Sequence, residues 1–101
     1  MNDNDLSWLA GLLEGEGSFL RPPPSDPKRP RISLEMTDED VVRRVASLMK
    51  VGVVTPRVRK EHWKPSYRLT LRGPRAADLM MRLKPLMGKR RQDQIDKALA
   101  T

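Results

Sequence analysis

One short segment near the start of the chain, residues 6–17, is apolar on two helical faces. Its apolar positions recur with the i, i+3, i+4, i+7 spacing of a helix and fall into two sets, one with Leu6, Leu9, Ala10 and Leu13 and the other with Trp8, Gly11, Leu12 and Gly15. A helix that is apolar on two faces must be buried on two faces. A chain of 101 residues has room for one domain, residues 1–101, and we expect its own core to cover only one of these faces.

Gly11 and Gly15 lie four residues apart on the second of these faces. They allow the backbone of another helix to approach closely, or they simply weaken this helix by about 1 kcal/mol each relative to alanine. We favour a helix–helix contact, because two glycines without a purpose are costly.

After Gly17 the period of the apolar residues changes to two. Ile32, Leu34 and Met36 alternate with polar residues, which predicts a half-buried strand, and residues 18–21 are its expected hairpin partner across a proline-rich connection. Thr37 and Asp38 then predict the N-cap of a helix whose inward face carries Val42, Val45, Ala46 and Met49.

The same order of elements then repeats. Residues 54–60 and 63–72 predict a second hairpin, Gly73 and Pro74 begin a further helix with Ala76, Leu79, Met80 and Leu83 inward, and a short helix is expected over residues 90–100. The sequence therefore predicts an α+β fold of order αββαββα(α), with a four-stranded antiparallel sheet backed by helices.

Positive charge is concentrated in one segment. The chain has a net charge of +7, whereas residues 57–91 contain twelve basic and two acidic residues, a net of +10, which leaves −3 for the rest. In the second hairpin Val54, Pro56, Val58, Tyr67, Leu69 and Leu71 are expected to face the core, so that the opposite face carries Thr55, Arg57, Arg59, Lys64, Ser66, Arg68, Thr70 and Arg72. Such a face is either simply solvated or binds nucleic acid, and we favour nucleic acid because guanidinium and hydroxyl groups bind phosphates and base edges and a two-stranded ribbon fits the major groove.

The composition excludes several classes of protein. The chain has no cysteine, which excludes disulfide-stapled folds and thiolate metal sites, and it has no apolar run of membrane-spanning length. Its first five residues are acidic where a targeting peptide would be basic. We expect a soluble, intracellular protein, cytoplasmic if bacterial or phage-encoded, with no membrane partner.

Residues 9–19, LAGLLEGEGSF, resemble the signature of the LAGLIDADG homing endonuclease family. Residues 83–92, LKPLMGKRRQ, are similar to that family's proline-containing turn and the basic stretch that follows it. The predicted order of elements also agrees with the fold that the resemblance implies.

The resemblance implies a homodimer with a metal site at the foot of the first helix. Its dimer interface would comprise Trp8, Gly11, Leu12 and Gly15. Glu16 would bind Mg²⁺ together with the backbone carbonyl of Gly15, with Mn²⁺ as a substitute and Ca²⁺ supporting binding only. Glu14 is expected to stabilise the end of the helix or the dimer interface.

The resemblance also implies a basic residue that supports the transition state. By letter this is Lys89, and by counting from Pro85 it is Arg90, so both are candidates. The residues predicted to contact DNA are Ser18, Arg31, Ser33, Glu35, Arg57, Arg59, Lys64, Ser66, Arg68, Thr70, Arg72 and Arg91, with Arg91 as an anchor for phosphate.

The function that follows is site-specific, metal-dependent cleavage of double-stranded DNA at a long pseudo-palindromic site by a homing endonuclease encoded in an intron, an intein or a free-standing gene. The alternative is a module of the same descent that binds DNA or RNA without cutting, such as a transcription regulator or an intron maturase. A designed or truncated monomer is a third possibility.

Overall fold

The structure, a computed structural model, describes residues 1–26, 29–57 and 65–100, with the backbone alone at 55–57. The elements follow in the order α1 (Asp3–Glu16), β1 (Gly17–Leu20), β2 (Arg31–Met36), α2 (Glu39–Met49), β3 (Val54–Arg57), β4 (Ser66–Arg72), α3 (Pro74–Leu83) and α4 (Lys89–Leu99). A short 3-10 turn, Lys84–Leu86, joins α3 to α4. The α+β prediction and the predicted order of elements are confirmed.

The strands form an antiparallel sheet in the order β1-β2-β4-β3. β1, β2 and β4 pair in regular register, with Phe19 opposite Ile32 and Ile32 opposite Leu71. β3 joins β4 at the edge with an irregularity between Val54 and Arg57. The regular part of the sheet is therefore three strands wide, and β3 extends it irregularly.

The helices cover one face of the sheet and enclose the core there. Leu9 and Leu13 of α1 are fully buried, as the first of the two apolar faces predicts. They pack with side chains from α2, α3, α4 and the sheet, including Ile32, Leu34, Val42, Val45, Leu69, Met80, Leu83 and Ile95. Each predicted inward residue of α2 and α3 is buried.

α1 begins three residues earlier than the apolar pattern indicates. The Asn2 side chain accepts a hydrogen bond from the Asp5 backbone nitrogen at 2.8 Å, and the Asp5 carboxylate accepts one from the Asn2 nitrogen at 3.3 Å. This capping box satisfies donors that the first turn leaves unpaired, and Asp3 and Asp5 are favourable beside the helix N-terminus. Polar residues therefore extend the helix beyond its apolar stripe.

α3 begins at a glycine that the backbone requires. Gly73 has φ of 79°, a left-handed conformation that residues with a Cβ rarely adopt, and Pro74 occupies the first helical position. This confirms the predicted start of α3. No helix in the described ranges has the length and apolarity needed to cross a membrane.

Candidate nucleic-acid interface and metal site

The face of the sheet that points away from the helices is polar, and we call it the open face. Because directly paired residues share a face and alternate along each strand, the register assigns its members. Its described side chains are Ser18, Leu20, Arg31, Ser33, Glu35, Val54, Ser66, Arg68, Thr70 and Arg72. Eight of the predicted DNA-contacting residues are among them: Ser18, Arg31, Ser33, Glu35, Ser66, Arg68, Thr70 and, at the end of β4, Arg72.

Three rows of paired residues cross the open face, and each has its own chemistry. The rows are Leu20–Arg31–Arg72, Ser18–Ser33–Thr70 and Glu35–Arg68–Val54. A groove of about 410 Å³ runs along the face and is lined by Leu20, Arg31, Ser33, Gly52, Val54, Arg68, Thr70 and Arg72. Cations at the two outer rows therefore flank a central row of hydroxyl groups.

Two arginines face each other in the first row. Arg31 and Arg72 are directly paired, and like charges in this arrangement repel. The Nε of Arg31 is buried and has no hydrogen-bond partner among the described residues. This end of the groove is therefore electrostatically suited to an anion or to electronegative base edges.

β3 differs from its predicted orientation. Val54 was expected to face the core, but it pairs with Arg68 on the open face and is 47% exposed. Arg57, three residues later, pairs with Ser66, which belongs to the same face. Positions three apart would fall on opposite faces of a regular strand, so the irregularity between them changes the phase and makes the predicted orientation of Val54 wrong.

Three predicted DNA contacts of this hairpin have side chains that the structure does not describe, namely Arg57, Arg59 and Lys64. The register of Arg57 agrees with the prediction, and its side chain is not described. Arg59 and Lys64 lie outside the described residues.

The predicted metal ligands lie at the end of α1, where the helix meets the edge strand of the sheet. Glu16 is the last residue of α1, is exposed and directly precedes Gly17, the first residue of β1. A Cβ at Gly17 would lie 2.7 Å from Cδ2 of Leu13, so only glycine allows β1 to turn this closely across the helix. The carbonyl of Gly15 accepts no hydrogen bond from the described residues.

These oxygen donors suit Mg²⁺, which prefers carboxylates and carbonyls and keeps several waters. No group of three or more His, Cys, Asp or Glu side chains able to hold a metal occurs in the described parts of the chain. The chain's donors fit the chemistry of the ion but make only part of a coordination shell. A DNA phosphate or a second copy would have to supply the rest.

Glu14 connects the end of α1 to the start of α4. Its Oε1 accepts a hydrogen bond from the backbone nitrogen of Gly88, the N-cap of α4, at 2.5 Å. Its backbone oxygen accepts one from Nε of Arg91 at 2.9 Å. A Cβ at Gly88 would lie 2.7 Å from the same Oε1, so the glycine leaves room for the carboxylate. The expectation that Glu14 stabilises the helix end agrees with these contacts, although its partner is α4.

Arg91 requires a correction. It was predicted to anchor phosphate, but its side chain turns inward, is 9% exposed and also donates to Gln94 at 2.8 Å. Because Arg91 is largely buried and its Nε and Nη1 donate to Glu14 and Gln94, the structure assigns it to the fold rather than to the DNA interface.

Lys89 and Arg90 both lie in the first turn of α4 and are exposed. The Lys89 side chain is 87% exposed and its Nζ lies 3.5 Å from a carboxylate oxygen of Asp93. Both lie between Gly88 and Arg91 in sequence, and the contacts of those two residues with Glu14 hold this turn against α1. The structure therefore keeps both as candidate cations beside the site.

The second apolar face of α1 is only partly covered. Gly11 and Gly15 are exposed, and a Cβ at either would meet nothing within 4 Å. Trp8 and Leu12 are half-buried at the margin of the core, and the Arg44 guanidinium lies 3.9 Å from the centre of the Trp8 ring. The described part of the chain thus gives no steric reason for either glycine.

The fold was compared with solved structures. One match is the homing endonuclease I-CvuI in complex with its target in the presence of Ca, with a TM-score of 0.62, 16% identity and coverage of 92% of this chain. The chain shares the fold of a homing endonuclease. It spans 64% of that I-CvuI chain.

A second structure of I-CvuI, in complex with an I-CreI target in the presence of Mg with the DNA not cleaved, also matches at a TM-score of 0.62 and 16% identity. It covers 96% of this chain, which spans 71% of that one. No family model and no curated protein matched the sequence.

Sequence reasoning missed three features of the site. The Glu14–Gly88 contact joins residues 74 positions apart. The one local signal for it was the glycine at the N-cap of α4, which has no side chain to accept hydrogen bonds from the first turn of the helix. Leu20 is on the open face because it lies two residues after Ser18 in β1, and side chains two apart in a strand share a face. Nothing local indicated that Arg44 would cover Trp8.

Proposed function

We propose that the protein is a homodimeric, metal-dependent DNA endonuclease that places the open face of its sheet in the major groove. The observation that carries this proposal is the position of Glu16, an exposed carboxylate at the junction between α1 and the edge strand of a sheet face rich in arginine. The shared fold with I-CvuI, which was solved with its DNA target, supports it.

The open face supplies the binding surface. Arg31, Arg68 and Arg72 attract the DNA backbone, and the same guanidinium groups can donate to base edges. The hydroxyl row of Ser18, Ser33 and Thr70 can donate or accept at the groove floor. Long-range attraction and local recognition therefore come from one surface.

The outer face of α1 supplies the dimer contact in this proposal. With no side chain at Gly11 or Gly15, a second α1 can approach at backbone distance and cover Trp8 and Leu12. Two copies related by a two-fold axis bring two Glu16 residues together, one for each DNA strand.

Glu16 and the carbonyl of Gly15 would hold a divalent cation, which when bound polarises the scissile phosphate and lowers the pKa of a water. Glu16 lies two positions from Glu14, and residues two apart on a helix do not share a face. Glu14 can therefore fix α4 while Glu16 faces the DNA. In this proposal Lys89 or Arg90, in the first turn of α4, stabilises negative charge on the phosphate.

A second candidate is a DNA-binding protein that does not cut. The observation in its favour is that the described residues of the open face form a continuous groove within one chain, whereas the described carboxylates form no complete metal site.

One experiment distinguishes the endonuclease from the DNA-binding protein that does not cut. Duplexes that bind the protein are selected from a random library in Ca²⁺, after which Mg²⁺ is added and the DNA ends are sequenced. Defined ends with short 3′ overhangs at a selected site support the endonuclease. Specific binding with no nick in Mg²⁺ or Mn²⁺ contradicts it and favours the non-cutting protein.

A further inference from the structure

An acidic and a basic residue are paired in one of the outer rows of the open face, on the two inner strands of the sheet. Glu35 of β2 lies directly opposite Arg68 of β4, and both side chains are exposed. Among the described side chains of this face, Glu35 is the one acid. A surface that binds DNA through arginines needs a reason to carry a carboxylate directly beside one of them.

The two side chains do not form an ion pair with each other, although their positions would allow one. Directly paired residues have Cβ atoms about 4.5–5.5 Å apart. Elsewhere on the surface Arg43 does pair with Glu39, at 2.7 Å. Within the described residues neither Glu35 nor Arg68 has a salt-bridge partner. Both head groups are therefore available to a third group lying over the sheet.

The chemistry of the major groove narrows what that group can be. A carboxylate only accepts hydrogen bonds, and the base donors exposed there are N4 of cytosine and N6 of adenine. A guanidinium only donates, and it bonds best with both N7 and O6 of guanine. A C·G pair presents two adjacent acceptors, guanine N7 and O6, beside the cytosine donor. In a T·A pair the adenine donor lies between its two acceptors, adenine N7 and thymine O4, so a guanidinium beside the carboxylate does not find two adjacent acceptors.

We propose that Glu35 and Arg68 together select a C·G base pair at one position of each half-site, with Glu35 accepting from cytosine N4 and Arg68 donating to guanine N7 and O6. This inference rests on the proposed function, since it requires the open face to lie in the major groove. The negative charge of Glu35 then adds selectivity rather than affinity, because a base pair that presents an acceptor in place of cytosine N4 leaves the carboxylate without a donor near DNA phosphates.

The test is selection of bound duplexes from a library randomised across the half-site, in Ca²⁺, with Glu35→Gln, Arg68→Gln and Asp78→Asn compared with wild type. Asp78 is an exposed acid of α3, on the helical side of the sheet, so its substitution removes the same charge away from the open face. We expect Glu35→Gln to reduce the preference for cytosine over other bases at one position by roughly tenfold or more. Arg68→Gln is expected to lose guanine preference at that same pair.

The control variant should keep the wild-type profile at every position. A Glu35→Gln profile identical to that of Asp78→Asn contradicts the inference and leaves the proposed function intact. Effects of Glu35 and Arg68 at two different base pairs also contradict it. A wild-type protein that enriches no sequence contradicts the proposed function itself, and this inference with it. Thermal unfolding of each variant shows whether an altered profile comes from a folded protein.

Discussion

Arg91 donates a hydrogen bond from its Nε to the backbone oxygen of Glu14 at 2.9 Å, across 77 positions of the chain. The same glutamate accepts from Gly88 through its side chain, so both its backbone and its carboxylate hold α4. The N-terminus of α4 has no side-chain cap of its own, and the Glu14 carboxylate gives it a hydrogen-bond acceptor and a favourable negative charge. The first turn of α4, with Lys89 and Arg90, is thereby fixed relative to the end of α1.

Replacing Arg91 tests this structural role. Arg91→Met keeps an apolar stem in the buried space but removes the donors to Glu14 and Gln94, so we expect a loss of about 1–3 kcal/mol in the free energy of unfolding. Arg90→Met, on the exposed neighbour, should change it by less than about 0.5 kcal/mol. Urea unfolding followed by circular dichroism measures both. Equal stability of the two variants would show that the Arg91 contacts do not hold α4.

Substitution of Gly11 tests whether the chain forms a dimer through α1. Because a Cβ there meets nothing in its own chain, Gly11→Leu should leave the fold intact and strengthen α1, while it keeps a second α1 at a distance. Sedimentation velocity at micromolar concentration should give twice the chain mass of 11.6 kDa for wild type and the single mass for the variant. Gly52→Ala, at another position with open space, is the control and should remain dimeric. A wild-type mass of 11.6 kDa would rule out the dimer.

The sequence predicted those parts of the fold that depend on local periodicity. Leu9 and Leu13 are buried because the helical period places both on the inner stripe, and Leu69 and Leu71 because the strand period does the same. Gly73 marked the start of α3 because its positive φ is a local backbone requirement.

The predictions failed where contacts between residues distant in sequence determine the orientation of a side chain. Val54 faces outward because an irregular pairing with β4 changes the phase of β3, and no residue pattern within β3 records that pairing. Arg91 lies in a basic run whose other members are exposed, and the oxygens that turn it inward belong to Glu14, far away in sequence. Charge patterns alone do not distinguish an arginine that binds DNA from one that stabilises the fold through internal hydrogen bonds.

The facing arginines of the open face predict a conflict between stability and binding. Arg72→Gln removes the repulsion with Arg31, so we expect the free protein to gain up to about 1 kcal/mol. The same change should weaken DNA binding, because it removes a cation from the groove. Arg82→Gln, which removes an equal charge from exposed α3, should alter neither by as much. Thermal melts and fluorescence anisotropy at one salt concentration provide the two readouts; a fall in stability for Arg72→Gln would contradict the repulsion.

The ion pair between Glu39 and Arg43 predicts a pH effect on α2. The hydrogen bond from Arg43 lowers the pKa of Glu39 below its usual value, whereas burial and then the charge of Glu39 raise the pKa of Tyr67. A depressed carboxyl pKa adds stability above the unfolded pKa and loses it as the pH falls through the folded pKa. Arg43→Met should therefore raise the Glu39 pKa, as measured by NMR titration of its side-chain carboxyl carbon. An unchanged titration would show that Arg43 does not hold the carboxylate in solution.

Cleavage by Glu16→Gln tests the central claim most directly. A plasmid carrying the selected site is incubated in Mg²⁺ with wild type, Glu16→Gln and Asp3→Asn, the last removing an acid from the opposite end of the same helix. We expect the rate of cutting by Glu16→Gln to fall by several orders of magnitude, about 10³-fold or more, because the amide cannot hold the cation. Its affinity for the site in the absence of metal should hold or rise, because a carboxylate near phosphates is repulsive. Asp3→Asn should cut like wild type. Cutting by Glu16→Gln at the wild-type rate would contradict the account.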